Sequence, residues 1–354
     1  MRAIELVEYG DPASYRVIED AAIPTPGPGD IRIRVAYGGL RIPDIYERQQ
    51  RIDFAPPVPY IPGHECTGIV DALGEGVEGF AEGDRVLVGC PAPWAEYTIV
   101  HPAGGRYSLN SIKKLPDSVA LDRVMPYGTW TKTAYHAVYT WGQLSEGQTV
   151  LVHAAAGALG QMIVQIIKRD LPGVRVIGVC STEEKAATLR RLGCDHVINR
   201  STQDYVEEVN RICGPKATGI MAGGDTSGGV DVVLNSVSGP VTLSKDPAII
   251  RKHGRWIIFG TSAGEEGALN LHPFRYDAIN VLSASQVPWF GRPENDAADD
   301  YIDELIANNE FIVNIEHWPM DSVAEAQDAL QNGRVNGKVV FDINPSLDAL
   351  HGGR

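Results

Sequence analysis

The chain has 354 residues, 44% of them hydrophobic, and a formal net charge of −14. That length is enough for two cores, and the acidic balance argues against nucleic acid or an anionic membrane surface as the main partner. No run reaches the roughly 18 apolar residues of a membrane span, and the opening Met1-Arg-Ala-Ile-Glu-Leu-Val-Glu8 reads as a charged strand rather than a signal peptide.

The first 120 residues carry short alternating or apolar runs: Ala3 to Val7, Ile31 to Val35, Gly68 to Ala72, Asp84 to Val88 and Glu96 to Val100. Gly/Pro turns such as Pro24-Thr-Pro-Gly-Pro-Gly29 separate them, which predicts an all-β domain. After residue 148 the texture changes. Val150 to Val152 is a strand entering a small-residue turn and an apolar helix, Gln161 to Lys168. Val174 to Cys180 reads as a strand, Glu183 to Leu192 as a helix ending at Gly193, and His196 to Asn199 as a strand. Then come a helix, Gln203 to Cys213; a buried strand, Val230 to Asn235; a helix, Val241 to Lys252, closed by Gly254; and a strand, Trp256 to Gly260. This alternation predicts a parallel sheet with helices on both faces, an α/β fold. Ile279 to Ala284 reads as its last strand. Beyond it the pattern gives a helix, Asn295 to Asn308, a strand, Phe311 to Ile315, a helix, Val323 to Gln331, and a strand, Lys338 to Ile343.

The turn Ala155-Ala-Gly157-Ala158-Leu159-Gly160 puts small residues at the three positions of G-x-G-x-x-G. Small side chains there let the backbone turn tightly, approach a pyrophosphate and seat the helix on the strand, whose free N–H groups then face the phosphates. An acidic residue at the end of the second strand would hold a ribose 2′-hydroxyl; this chain has Ser181-Thr182 there. With no carboxylate to repel a 2′-phosphate, and with Lys185 and Arg200 nearby, the pocket favours NADPH over NADH. The alternative is that Lys185 and Arg200 are solvated surface charges.

Five phrases together resemble the medium-chain dehydrogenase/reductase family over nearly the whole chain: Gly63-His-Glu-Cys-Thr-Gly-Ile-Val70, Glu82-Gly-Asp-Arg-Val86, Leu144 to Gly157, Val230-Asp-Val-Val-Leu-Asn235-Ser236 and Gly337-Lys-Val-Val340. The resemblance implies a GroES-like β-barrel catalytic domain over residues 1–124, an NADPH-binding Rossmann domain over 125–294, and a return to the catalytic domain over 295–354. It also implies a homodimer through the last Rossmann strand, and a substrate meeting the nicotinamide in a cleft between the domains. Thr133, Asn235 and Gly260 then fall beside the cofactor.

The family divides into zinc alcohol dehydrogenases and zinc-free reductases. By the resemblance His64 falls on the zinc histidine, but the two cysteine positions fall on Arg41 and about Thr129. Arginine does not lose its proton to become a ligand, so the chain reads as zinc-free. Cys66 or Cys90 with His64 and Glu65 is the alternative metal set. The five cysteines, Cys66, Cys90, Cys180, Cys194 and Cys213, form no C-x-x-C pair, and reduced thiols in a cytoplasmic protein are the simplest reading.

Without a Lewis acid, hydride addition to a conjugated carbonyl (quinone, enone or enoyl thioester) is easier than direct alcohol oxidation. Quinone-reductase relatives carry Asn-x-x-Asp-x-Tyr where this chain has Arg41-Ile-Pro-Asp44-Ile-Tyr46. Tyr46 either hydrogen-bonds the substrate or delivers its proton, or lines the cleft as an aromatic wall. Arg41 either polarises a carbonyl or holds a substrate carboxylate, or forms a salt bridge to Asp44 or Glu65. His64 and Trp289 are expected at the substrate. A carbonyl reductase or alcohol dehydrogenase, a zinc enzyme with unusual ligands and a non-catalytic NADPH-binding protein remain the alternatives.

Overall fold

The computed structural model describes residues 1–52, 56–102, 111–128, 132–264, 267–285, 287–310 and 312–349. The chain forms two compact units, one of Met1–Thr131 with Phe290–Arg354, the other of Lys132–Trp289. The first segment of unit 1 contains β1 (Ala3–Leu6), β2 (Tyr15–Ile18), β3 (Ile31–Leu40), α1 (Ile42–Arg48), β4 (Glu65–Leu73), β5 (Arg85–Gly89), β6 (Tyr97–Val100), β7 (Ser111–Lys114) and α2 (Leu121–Val124). Unit 2 follows with α3 (Lys132–Tyr135), β8 (Thr149–Val152), α4 (Ala158–Asp170), β9 (Arg175–Cys180), α5 (Glu183–Arg191), β10 (His196–Asn199), α6 (Tyr205–Cys213), β11 (Val230–Asn235), α7 (Pro240–Lys245), β12 (Ile250–Ile258), α8 (Leu271–Asp277) and β13 (Asn280–Ser283). The chain returns to unit 1 with α9 (Pro293–Asn308), β14 (Ile315–Pro319), α10 (Val323–Gln331), β15 (Lys338–Asp342) and α11 (Ser346–Ala349).

In unit 1 the main sheet runs β14-β15-β3-β4-β5-β7, with β6 on β3, and every pairing but β14 with β15 is antiparallel. Its core gathers Ile4, Leu6, Ile31, Ile33, Val35, Trp94 and Phe341. Each such side chain contributes roughly 1.5–3 kcal/mol by leaving water. The Trp94 indole packs edge-on to Phe341 at 4.9 Å and donates its N–H to the Gly39 carbonyl at 3.0 Å. Helix α1 is tied to α10 by Arg48, which is fully buried. Its Nε reaches Gln327 Oε1 at 3.3 Å and its Nη2 reaches Gln331 Oε1 at 2.5 Å. A buried guanidinium must have its donors matched, so this anchor holds the helix that carries Arg41, Asp44 and Tyr46.

Unit 2 is a six-stranded sheet, β10-β9-β8-β11-β12-β13, parallel throughout. Its central strands β8, β9 and β11 are buried almost throughout, as strands covered by helices on both faces are. Two expectations are corrected. The helix expected over 241–252 ends at Lys245, and Gly254 lies inside β12. Pro247 disfavours helix at the residue before it, and that residue, Asp246, is drawn into the core. Its carboxylate is fully buried and accepts four hydrogen bonds: from Tyr205 Oη (2.9 Å), Asn235 Nδ2 (2.9 Å), Trp256 Nε1 (3.0 Å) and His153 Nε2 (2.9 Å). The strand expected over 311–315 instead begins at Ile315, where pairing with Lys338 on β15 starts; Phe311 lies outside the described residues. Among the described residues no helix is long and apolar enough to cross a membrane.

Asp246→Ala strands these four buried groups together. The expected outcome is a loss of about 3–5 kcal/mol, read as a lower urea midpoint with little change in the slope of the transition.

Candidate active site

Because every strand of unit 2 points the same way, the C-terminal ends of β8, β9, β10, β11 and β12 share one edge. From β8 the chain winds outward to β9 and β10, then restarts on the other side at β11. Open α/β sheets leave a crevice for ligands at such a reversal. Ala155, fully buried, donates its N–H to the Val179 carbonyl at 3.1 Å. Gly157 is the N-cap of α4 with no side-chain cap, and Ala158, Leu159 and Gly160 form the first turn, whose N–H groups have no helical acceptor. A Cβ on Gly160 would stand 2.5 Å from the Ala154 oxygen and 2.6 Å from Ala155 Cα, so only glycine lets α4 close on the turn. Turn, bare N–H groups and small residues together make a cradle of the kind a pyrophosphate needs.

At the neighbouring strand ends, Arg200 N donates to the Cys180 carbonyl at 2.9 Å and Ser201 Oγ to that of Ser181 at 2.8 Å. Ser181 and the exposed Arg200 are thereby brought together. Thr182 caps α5 by accepting from Lys185 N at 3.2 Å, while the Lys185 side chain is buried and adds its charge beside Cys180. Asn235 is fully buried. Its Oδ1 accepts from Val237 N (2.9 Å) and Ser238 N (2.7 Å), and its Nδ2 serves Asp246, so its side chain shapes the loop after β11. Gly260, just past β12, lies where a Cβ would strike the Ser236 carbonyl. Thr133 is buried in α3, and the Trp289 ring lies 5.8 Å from that of His136.

The polar residues expected at the substrate gather in unit 1. Helix α1 starts at Arg41-Ile-Pro-Asp44, with proline in the first turn and Asp44 Oδ2 accepting from Arg41 N at 2.6 Å. The guanidinium folds back onto the same carboxylate, Nη2 to Oδ1 at 3.1 Å, and both residues are buried. The salt bridge expected of Arg41 is formed, with Asp44 as its partner. Burial works against the charge, but Asp44 and then Glu65 outweigh it and hold the guanidinium pKa above its ordinary value. The Tyr46 ring, half-buried, lies under the Arg51 guanidinium at 4.2 Å. Glu65 is buried and ion-paired to Lys338, which also donates to the Leu40 carbonyl at 3.2 Å.

His64 is met by Glu47. The imidazole Nε2 is 2.5 Å from Glu47 Oε2 and 3.9 Å from Asp44 Oδ1, and Glu47 Oε1 accepts from Tyr60 Oη at 2.6 Å. Burial, and then the Glu47 carboxylate, push the Tyr60 phenol up from its ordinary value, so it acts as a donor. Sequence reasoning missed Glu47 and Tyr60. For Glu47 the signal was available, since proline and aspartate mark a helix start and place Asp44 and Glu47 on one face, three apart. Tyr60 had none, because only the tertiary fold brings it to Glu47.

Asp44, Glu47 and His64 each offer a ligand atom within 4.8 Å of one another. The set does not fit a zinc ion. Asp44 is engaged through both oxygens by Arg41, and a fixed guanidinium in contact with one ligand repels a dication. Cys66 and Cys90 adjoin His64 along the backbone, Cys90 N donating to the His64 carbonyl at 3.1 Å, but both belong to the unit 1 core cluster. Hydrogen bonding to Cys90 and burial hold the Cys66 thiol well above its ordinary value, the condition of an inert structural cysteine. Position 129 lies outside the described residues.

Residues 27–138 match the family described as the alcohol dehydrogenase GroES-like domain and residues 158–306 the zinc-binding dehydrogenase family. A human synaptic vesicle membrane protein VAT-1 homolog-like is 34% identical over 74% of this chain, which spans 57% of that relative's length. A 2-haloacrylate reductase from Burkholderia sp is 34% identical over 72% of each chain. A mycobacterial protein solved as a complex with NADPH has a TM-score of 0.80 at 25% identity, over 96% of this chain and 99% of its own. The chain belongs to the medium-chain dehydrogenase/reductase superfamily, in its quinone oxidoreductase-like branch.

Arg41→Ala leaves Asp44 buried without its cation. We expect a loss of about 3 kcal/mol in urea unfolding, while Arg41→Lys, unable to grip the carboxylate in the same two-bond fork, recovers only part of it.

Proposed function

We propose that the protein is an NADPH-dependent reductase that transfers hydride to a conjugated carbonyl compound: a quinone, an enone or an enoyl thioester. The observation that carries this reading is the Arg41–Asp44 ion pair, seated by sequence where the zinc dehydrogenases place a metal-binding cysteine. A donor set of this kind offers fixed charge and hydrogen bonds but no Lewis acid. Such groups are sufficient when the acceptor's own carbonyl takes up the incoming charge. The name of the haloacrylate-reducing relative describes an activated double bond, and the NADPH complex of the mycobacterial neighbour supports the cofactor.

Bound NADPH supplies the hydride. The turn at Gly157 to Gly160 holds its pyrophosphate, and Arg200 with Ser181 takes its 2′-phosphate, with Thr182 and Lys185 shaping the floor. Thr133, Asn235 and Gly260 set the wall beside the nicotinamide. Tyr46 and Arg41 face the acceptor's oxygen, Asp44 orients Arg41, and His64 and Trp289 border the substrate. The same reading makes the protein a cytoplasmic homodimer. Five free thiols suit a reducing compartment, and β13 is an edge strand that leaves Val281 44% and Leu282 41% exposed, the kind of apolar edge that pairs with another chain.

The test is loss of NADPH absorbance with a panel of a quinone, an enone, an enoyl-CoA, a ketone and an aldehyde. Turnover of a conjugated acceptor is expected, and reduction of the ketone or aldehyde alone overturns the reading. Arg200→Glu is expected to raise the KM for NADPH about tenfold, the equivalent of ~1.4 kcal/mol, and to leave that for NADH unchanged. Leu282→Lys is expected to shift the protein in size-exclusion chromatography with light scattering from a dimer to the 38.3 kDa monomer.

A further inference from the structure

We propose that a groove on one face of β12 and β13 binds a small amphipathic carboxylate, its head group held by Arg255. The site stands apart from the reductase reading and begins with strand register. Arg255 pairs with Asn280 and Ile257 with Leu282 across the parallel β12–β13 ladder. Residues paired in register, or two apart along a strand, point to the same face of a sheet. These four therefore floor one face. Trp141 and Gln143, in the segment that leads from α3 to β8, wall it, and the groove holds about 350 Å³, the size of a small-molecule site. Every one of these residues belongs to unit 2.

The groove combines an apolar surface with an unbalanced cation. Ile257 and Trp141 are buried along it, and Leu282 is exposed. Arg255 forms no ion pair among the described residues. The carboxylate that acts on it, Asp231, is already engaged: one oxygen is paired with Arg251 and the other accepts from Thr149 N at 2.8 Å. Burial lowers the Arg255 pKa from its ordinary value, and the Asp231 charge only partly opposes that. Arg255 Nη2 donates to the Gln143 carbonyl at 2.8 Å, but the buried Nε has no acceptor, and neither has the buried Nε1 of Trp141. Nη1 makes no hydrogen bond among the described residues and is not enclosed, so it is the nitrogen that a ligand meets first. A half-buried guanidinium normally has an anionic partner, and here the protein supplies none within ion-pair distance. The missing partner fits a carboxylate, whose two oxygens match the guanidinium fork, carried on an apolar body that covers Ile257 and Leu282. Another chain pairing with β13 would engage its free main-chain edge, whereas the groove lies on a face, so the site is compatible with the proposed homodimer.

The probe is octanoate, with octanol as the same body uncharged and inorganic phosphate as an anion without the body. Each is titrated calorimetrically into the whole chain as wild type, Arg255→Gln and Arg255→Lys. Octanoate is expected to bind the wild type about tenfold more tightly than octanol or phosphate. Arg255→Gln is expected to lose that preference at an unchanged melting temperature, and Arg255→Lys, which keeps the charge but not the fork, to retain part of it. In the NMR spectrum the indole N–H signal of Trp141, assigned by its absence from Trp141→Phe, is expected to move as octanoate is added. Octanol or phosphate binding as tightly as octanoate overturns the proposal, as does octanoate binding that Arg255→Gln leaves intact or that leaves the Trp141 signal in place. The octanol comparison needs only the wild type, so it decides the matter even if Arg255→Gln does not fold. Absence of octanoate binding also overturns the proposal, and where light scattering shows a dimer it makes a second copy of the chain the occupant of the groove.

Discussion

A carboxylate taken out of water must be met by donors or by a cation, and both units are organised around that requirement. In unit 2 it is Asp246, satisfied by groups from α6, β11, β12 and the residue after β8. Tyr205 and His153 reach Asp246 across 41 and 93 positions and Trp256 and Asn235 across 10 and 11, so one carboxylate joins both near and distant elements at the sheet. In unit 1 the same requirement is met three times over a short stretch, by Arg41, by Lys338 and by His64. The third partner is chemically different, an imidazole ring in place of a guanidinium or an ammonium group.

The binding edge of unit 2 follows from a more general cause. A wholly parallel sheet collects its strand ends on one side, and reversal of the winding at β8 leaves the turn before α4 uncrowded. Residues from five separate strand ends then share an edge with no direct bond among most of them. Burial of the Asn235 side chain and the tight approach at Gly260 shape that edge from behind, through the backbone.

Local sequence rules worked where the elements are set by their own composition. The strand–turn–helix at Val150 to Lys168 was readable because small residues, an apolar strand and an apolar helix follow one another within a few positions; α4 merely starts three residues earlier than its apolar pattern, at Ala158. The helix of 323–331 and the strand of 230–235 were likewise visible in periodicity alone. Reading failed at the segment after Gly239. The apolar run Ile249-Ile250 continues a helical pattern by composition, but Pro247 and the pull of Asp246 into the core break it, and the chain turns into β12. Helix α1 was passed over because it is short and its first turn holds a proline, although that proline and Asp44 are a helix start.

What the sequence determined by itself is the fold class and the small-residue turn before α4, since each depends on residue type at a local spacing; the family resemblance then implied arginine where a zinc ligand would be required. What only the tertiary structure decided is the pairing of charges: Arg41 with Asp44 rather than Glu65, Glu65 with a lysine 273 positions away, and His64 with Glu47. The reason is physical. Helical or strand periodicity is expressed within a few residues, whereas the partner of a buried charge is whichever opposite charge the packed core brings within hydrogen-bond distance, and that distance exists only after folding.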